Sequence, residues 1–257
     1  MLLTEFDANR QAIINPEDLN EPLEGFPKIA VSCFSRSTFQ RMLKMFPHEL
    51  IYETSIANVA IPIYKLVIDD NELALFNAPV GASACVAILE DIFALGADKL
   101  VLFGTCGVLD EDIKETSIII PSHALRDEGT SFHYVEASDE IEVNVGVLER
   151  FRSYLNERQI SHKEGKVWTT DGIYRETNGK LKARKAAGAI CVDMECSAVA
   201  ALAKFREVDI CHFFYAADHL SEEKWDIRTL SSHEDLDSKD RIAELAIQFA
   251  LFWEKAN

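Results

Sequence analysis

Apolar runs of strand length alternate along the chain with longer segments whose apolar residues recur at helical spacing. The short runs predict strands, and the longer segments predict helices. Strands that alternate with helices indicate an α/β fold, which we expect to be a three-layer α/β/α domain with a central mixed sheet. The predicted strands cover residues 28–33, 61–68, 73–78, 100–104, 117–121, 166–170, 189–194 and 210–216, and the predicted helices cover 34–45, 83–95, 145–159, 178–187, 197–205 and 239–255.

The first 27 residues differ from the rest of the chain. They are polar and are interrupted by Pro16, Pro22, Gly25 and Pro27, which predicts an N-terminal arm that is extended or only briefly helical. No linker, repeat or low-complexity stretch divides the remaining residues, and 257 residues are an ordinary length for one α/β domain. We therefore predict an arm over residues 1–27 and a single domain over 28–257.

Composition narrows the possible partners and the compartment. The 43 acidic and 26 basic residues give a net charge of −17, which repels nucleic acids and anionic membranes. The N-terminus lacks a basic signal-peptide region, and no apolar run approaches the length of a membrane span. The cysteines form no C-x-x-C pair and no zinc-ligand spacing, so we expect a cytoplasmic protein with buried thiols and no metal site. These cysteines are Cys33, Cys85, Cys106, Cys191, Cys196 and Cys211.

Three predicted strands end in residues that can carry chemistry, and ligands bind at such ends in α/β sheets. Residues 104–107, with sequence GTCG, could turn backbone N–H groups toward an anion, or could form only a tight turn. Asp193 and Glu195 could grip the hydroxyl groups of a ribose, or could cap the next helix. Asp218 could act as a proton donor with a raised pKa, or could end its strand in a local turn.

Several motifs occur in a fixed order along the chain. They are Gly81 with Ser83, GTCG (104–107), LRDEGTSFHY (125–134), TTDGIY (169–174), VDMECSA (192–198) and AADHL (216–220). This order and spacing resemble those of the purine nucleoside and uridine phosphorylase family. The resemblance extends from about residue 72 to residue 222, and V-[DE]-M-E-x-x-[AG] is its most specific element. The segments 125–134 and 169–174 are most similar to the uridine branch, whereas the pair Asp218-His219 is similar to the purine branch.

The resemblance implies roles for individual residues on the nucleoside side of a site. It implies that Glu195 binds the ribose hydroxyls, that Met194 covers the apolar face of the sugar, and that Asp193 lies beside them. Asp218 is implied to protonate, or hydrogen-bond to, a leaving purine. The residues that complete this side are Ile173 and Tyr174 in the base pocket, Arg175 as a possible contact to the base, and His133 beside the sugar or a neighbouring subunit.

On the phosphate side, the chain departs from the family pattern. The resemblance implies that Thr105 and the Gly104 backbone contact phosphate and that Gly81 lets the chain approach it. The glycine-rich loop G-D-P-x-R of the family is replaced by residues 32–36, SCFSR, in which Arg36 is the remaining cation. A second phosphate arginine of the family is replaced by Leu102. Since arginine binds phosphate in a bidentate manner, its loss weakens the expectation of phosphate binding.

These implications point to a nucleoside phosphorylase, with phosphate as co-substrate and no other cofactor. Its substrate is expected to be a purine nucleoside or uridine, and the products are the free base and ribose 1-phosphate. The missing arginines leave two alternatives open: a nucleoside hydrolase of the same fold, and a non-catalytic nucleoside-binding protein. The resemblance also implies a homo-oligomer, either a dimer or a hexamer.

Overall fold

The computed structural model describes residues 2–228, 230 and 236–255, and these contain one mixed sheet with helices on both faces. The strands are β1 Ile29–Cys33, β2 His48–Ile56, β3 Val59–Ile68, β4 Asn71–Asn77, β5 Lys99–Val108, β6 Ile118–Asp127, β7 Glu140–Glu142, β8 His162–Thr170, β9 Ala189–Asp193, β10 Asp209–Leu220 and β11 Trp225–Asp226. The helices are α1 Pro16–Leu19, α2 Arg36–Met45, α3 Ala82–Leu95, α4 Leu148–Glu157, α5 Asn178–Ala186, α6 Cys196–Arg206 and α7 Leu236–Lys255. Single turns of 3₁₀ helix cover Leu2–Thr4, Thr130–His133 and Ile173–Arg175.

Part of the sheet closes on itself. The strand order is β11-β10-β6-β8-β9-β5-β1-β4-β3-β2, and β7 pairs with β6. In addition, β10 pairs with β5 in parallel, so β5, β9, β8, β6 and β10 form a closed ring. The strands β4, β1, β5 and β10 run parallel to one another, which brings their carboxyl ends to one edge of the sheet.

Alternate residues of the central strands face two separate apolar layers, as a period of two requires. Ala30, Leu100 and Leu102 pack against helices α3 and α6 on one face. Val31 and Phe213 pack against α2, α4 and α7 on the other face. The predicted three-layer α/β/α architecture with a central mixed sheet is therefore confirmed.

Three predicted strands, β5, β6 and β10, continue further than expected. The GTCG segment lies inside β5, and Asp218 lies inside β10, so neither forms the tight turn considered above. A Cβ atom at Gly104 would lie 2.6 Å from the Phe34 ring, and one at Gly107 would lie 2.5 Å from a Leu220 methyl group. The glycines therefore allow other segments to cross closely over a continuous strand.

Residues 2–27 contain little regular structure. The described part of the arm contains one 3₁₀ turn and the short helix α1. It contacts the domain through Arg10, which pairs with Glu207 at 2.7 Å, and through Asn20, which donates to Asp91 at 2.8 Å. All six cysteines are buried free thiols. Among the described helices, none combines the length and the apolar character that crossing a bilayer requires.

Candidate active site

Glu195 and Gly81 meet at the edge of the sheet where β4 and β9 end. Gly81 precedes α3 with φ of +100°, a backbone conformation that favours glycine. Its N–H donates to Oε1 of Glu195 at 2.5 Å. The Glu195 side chain is buried, and burial, followed by the nearby charge of Asp193, raises its pKa to about 8. Two residues that the sequence singled out, 114 positions apart, are therefore in direct contact.

Asp193 holds the turn that presents Glu195. Its Oδ1 accepts the Thr169 hydroxyl at 2.7 Å, and its Oδ2 accepts the N–H groups of Glu195 at 2.8 Å and Cys196 at 2.7 Å. Burial raises the pKa of Asp193 to about 6, although these hydrogen bonds oppose the increase. This pattern is that of a helix cap, so Asp193 positions Glu195 through its backbone.

A further buried carboxylate, Glu128, joins two of the sequence motifs. Its Oε1 accepts the Ser197 hydroxyl at 2.8 Å, and its Oε2 accepts the Ser131 N–H at 2.9 Å. Glu128 lies within the LRDEGTSFHY motif, but the sequence pattern did not suggest a role for it. Met194 is half-buried next to Glu195, whereas His133 is exposed at the end of its 3₁₀ turn.

A cavity of about 270 Å³ lies beside Gly81, at the carboxyl end of β1 and over the middle of β5. Hydroxyl groups are prominent in its wall, and Ser35 also caps α2 by accepting the Thr38 N–H at 3.2 Å. The first turn of α2 forms part of this wall, and a helix N-terminus favours anions. The polar residues that line the cavity are Ser35, Ser37, Thr38, Thr105, Tyr215 and Lys239.

Lys239 is the cation that the sequence analysis missed. It lies on α7, is 8% exposed and lines the cavity. A signal for it was present, because Lys239 shares a helical face with the buried residues Ile242 and Ala246. A lysine on the buried face of a helix lowers the stability of the fold unless its ammonium group is paired or hydrogen-bonded.

Two positions from the phosphate analysis lie outside this cavity. Arg36 is the first residue of α2, and its side chain is exposed and does not line the cavity. Leu102 is fully buried in the layer between the sheet and helices α3 and α6. Gly104 does line the cavity, but the Phe34 ring covers its Cα.

Asp218 lies on β10 opposite Gly107 of β5. Its Oδ2 accepts the indole N–H of Trp225 at 2.7 Å, a partner from β11 that the sequence did not suggest. The carboxyl group is 8% exposed, and burial raises its pKa although the indole hydrogen bond opposes this.

The segment expected to form the base pocket lies near Asp218 but is open to solvent. Ile173 is 52% exposed and Tyr174 is 95% exposed, and Arg175 is exposed as well. The following residue, Glu176, is half-buried, and its pKa is raised to about 7 by burial and by the charge of Asp218. Glu176 is therefore a further candidate that the sequence analysis missed.

Known structures share this fold. A uridine phosphorylase from Vibrio fischeri superposes with a TM-score of 0.75 at 15% identity, covering 94% of this chain and 99% of the other. A purine nucleoside phosphorylase from Toxoplasma gondii, in complex with immucillin-H, gives 0.76 at 16% identity, with coverages of 93% and 98%. An AMP nucleosidase from Bacteroides thetaiotaomicron gives 0.71 at 16% identity, with coverages of 91% and 90%. At these identities, the likeness establishes the fold alone.

Sequence comparison establishes the family. A DeoD-type purine nucleoside phosphorylase from Brevibacillus brevis is 28% identical over 126 residues, which cover 49% of this chain and 54% of the relative. A guanosine phosphorylase from Halorubrum lacusprofundi is 22% identical over 144 residues, which cover 55% of this chain and 60% of the relative. The chain thus spans little more than half the length of these curated relatives. Residues 28–251 match the profile of the Phosphorylase superfamily, and the chain belongs to that family.

Proposed function

We propose that the protein is a nucleoside phosphorylase that cleaves the N-glycosidic bond of a purine nucleoside or uridine with phosphate. The observation that carries this proposal is the position of the hydroxyl-lined cavity. Val80 lines that cavity, and the next residue, Gly81, is hydrogen-bonded to the buried Glu195. A site suited to an anion therefore adjoins a carboxylate suited to a sugar.

Glu195 supplies the contact to the ribose in this proposal. The bond to the base breaks toward a ribosyl cation with oxocarbenium character. The ionised form of Glu195, whose population grows as the pH approaches about 8, accepts hydrogen bonds from the sugar hydroxyls and stabilises this cation more than it stabilises the neutral nucleoside. Asp193, Thr169 and the N-terminus of α6 keep Glu195 in place, so little reorganisation is needed during the reaction.

Phosphate is assigned to the neighbouring cavity. Thr105 and Ser35 offer hydroxyl donors there, and Lys239 offers a positive charge. A phosphate held in this position attacks C1′ on one side of the sugar while the base leaves on the other. Asp218, whose pKa is raised by burial, is assigned to neutralise the leaving base.

The structure also gives an observation in favour of hydrolysis as a second candidate. The described residues that line the cavity include a lysine but no arginine, and Leu102 is buried in the core. The fold is shared with an AMP nucleosidase. With water as the nucleophile, the same Glu195 and Asp218 would release the base without phosphate.

The phosphate dependence of base release tests the proposal. Purified protein is incubated with adenosine, inosine or uridine, with and without phosphate, and both the base and ribose 1-phosphate are quantified by chromatography. Stoichiometric ribose 1-phosphate, formed only with phosphate, is the expected result. Equal release of base without phosphate would assign the protein to the hydrolases, and binding without any release would assign it to non-catalytic nucleoside binders.

A further inference from the structure

A cavity of about 420 Å³ lies between helix α6, the start of β10 and the segment that follows β7, and we call it the α6 cavity. Its volume is in the range of small-molecule sites in proteins. The aliphatic part of its wall includes Val143, Val199, Ala203 and Ile210. None of the described residues lines both this cavity and the hydroxyl-lined cavity to which phosphate is assigned. The two cavities are therefore separate candidate sites.

The α6 cavity lies where β10 and β6 diverge. The two strands pair at Phe214 and Tyr215. Nearer the start of β10, the side chain of Asn144 takes the place of a paired strand, because its Oδ1 accepts the His212 N–H at 2.6 Å and its Nδ2 donates to the His212 carbonyl at 2.9 Å. The same amide donates to the carbonyl of Pro121 on β6 at 3.1 Å. Asn144, which lines the cavity, thus uses both of its amide N–H groups within the protein.

His212 also lines the cavity, and its hydrogen-bonding capacity is unused. The side chain is 1% exposed, and neither ring nitrogen has a hydrogen-bond partner among the described residues. Its ring neighbours Phe34 and Phe214, with centroids at 6.3 and 4.6 Å, offer no such partner. Burial lowers the pKa of His212 to about 3, so the neutral imidazole has one N–H donor and one acceptor nitrogen. Because buried polar groups are normally hydrogen-bonded, this ring calls for a partner from outside the chain.

The charges around the cavity restrict that partner. The charged residues in its lining are Glu142, Lys204, Glu207 and Asp209, and all four are exposed. Glu207 pairs with Arg10 of the N-terminal arm at 2.7 Å, which leaves two carboxylates and one ammonium group. With a net charge of −17 on the protein, this rim disfavours an anion. No charged side chain is buried among the described residues of the lining, so a cation inside would lose its hydration without gaining a counter-charge.

We propose that the α6 cavity binds a small uncharged hydroxyl compound, whose apolar body packs against the aliphatic wall and whose hydroxyl group hydrogen-bonds to the His212 imidazole. A hydroxyl group donates to the acceptor nitrogen or accepts from the N–H, so it suits either tautomer of the ring. The apolar body matches the side chains that α6 and β10 supply. Binding at this site does not depend on the proposed phosphorylase function.

Phenol and toluene are suitable probes because they are similar in shape and only phenol has a hydroxyl group. Calorimetry on the full chain gives the Kd of each probe for wild type and for His212→Phe, which keeps a ring and removes both nitrogens. The preference for phenol over toluene is expected to be about tenfold greater in wild type, as one hydrogen bond to a buried group predicts. His212→Leu is a second variant without ring nitrogens and is expected to show the same loss of preference.

Thermal unfolding without any probe gives an independent readout. His212→Phe no longer buries two polar atoms that lack partners, so its Tm is expected to exceed that of wild type by roughly 2–4 °C. A saturating concentration of phenol is expected to raise the Tm of wild type more than that of His212→Phe, because a ligand stabilises the folded state that binds it. A greater increase in His212→Phe would contradict the role of the imidazole.

The position of the site is tested by filling the cavity. Ala203→Leu enlarges a side chain of the cavity wall and is expected to weaken the binding of both probes about tenfold or more. Ala183→Leu makes the same change on α5, away from the cavity, and is expected to bind as wild type does.

Three results would overturn the proposal. The first is that wild type binds neither probe, and the second is that Ala203→Leu binds both probes as tightly as wild type does. The third is an equal preference for phenol in wild type and in both His212 variants. Light scattering on Ala203→Leu adds a check on assembly: a change in oligomeric state would identify the cavity as a contact between copies of the chain and would also refute the ligand site.

Discussion

Replacing Glu195 by glutamine is expected to make the protein more stable at neutral pH. The reason is the environment of the side chain, which is 5% exposed and lies next to Asp193. An ordinary glutamate has a pKa of 4.5, whereas that of Glu195 is raised to about 8. Between these values, the folded protein holds a proton that the unfolded chain has released. Its free energy of unfolding therefore falls as the pH rises, by up to about 1.4 kcal/mol per pH unit.

The magnitude follows from the difference between the two pKa values. Compared with strongly acidic solution, the raised pKa of Glu195 lowers the free energy of unfolding by about 1 kcal/mol at about pH 5 and by about 4 kcal/mol at about pH 7.5. This loss levels off above about pH 8. Glutamine does not ionise, so it does not lower the free energy of unfolding as the pH rises. Its amide oxygen can still accept the hydrogen bond from the Gly81 N–H. We expect at least about half of this loss to be recovered, which corresponds to an increase in Tm of roughly 4–8 °C at about pH 7.5.

Thermal unfolding at several pH values measures this effect without ligand. The Tm of Glu195→Gln is expected to exceed that of wild type by an amount that grows between about pH 5 and about pH 8, while kcat/KM falls by about 100-fold or more because a charge-assisted contact to ribose is lost. Glu223→Gln removes one exposed carboxylate and controls for net charge, with an expected change within about 0.5 kcal/mol. A Tm difference that is independent of pH, or that is largest in acid, would refute the argument from the raised pKa.

Three further predictions concern phosphate, the leaving base and assembly. Lys239→Met is expected to raise the KM for phosphate about tenfold or more by removing one charge-assisted contact, whereas Arg36→Ala, whose side chain lies outside the cavity, is expected to change it less than about threefold; phosphate titration at saturating nucleoside measures both, and the reverse order would return the phosphate role to Arg36. Asp218→Asn is expected to reduce cleavage of adenosine far more than cleavage of a nucleoside with an activated leaving group, and equal losses would limit Asp218 to positioning the base. The protein is expected to be at least a dimer whose specific activity falls on dilution, because Ile173 and Tyr174 are left exposed by a single chain; light scattering that shows a fully active monomer would contradict this.

Much of the fold was predictable because its pattern is local. Each predicted strand overlaps a strand of the structure, since most of the short apolar runs lie in strands that are largely buried, as is typical of an α/β domain. The strand β2 was missed because most of its residues are exposed or only half-buried at the edge of the sheet, so its sequence lacks an apolar run. The extension of β5 through GTCG was missed because two glycines normally indicate a turn, whereas here they make room for Phe34 and Leu220.

The candidate site was predictable only where its residues lie in motifs. Glu195, Gly81 and Thr105 follow from the resemblance, and the structure brings Glu195 and Gly81 into contact. Lys239, Glu176 and Trp225 did not follow, because their proximity depends on long-range packing. Trp225 reaches Asp218 only because β11 returns antiparallel to the end of β10, and a two-residue strand leaves no recognisable pattern in the sequence.

The replacement of the family's arginines has a physical rationale in the placement of Leu102 and Lys239. Leu102 is fully buried in an apolar layer, where the charge of an arginine would be expensive to place. Lys239 lines the hydroxyl-lined cavity from α7, which packs on the opposite face of the sheet from α3 and α6. Its ammonium group therefore reaches the cavity without passing through the layer that contains Leu102. A lysine is a point charge and not a bidentate fork, so the hydroxyls of Ser35 and Thr105 must supply the directional contacts. If phosphate is held in this way, its affinity depends on hydroxyl geometry as much as on charge. Thr105→Val is then expected to weaken phosphate binding to an extent similar to Lys239→Met, and an unaffected KM in Thr105→Val would leave the charge alone as the basis of recognition.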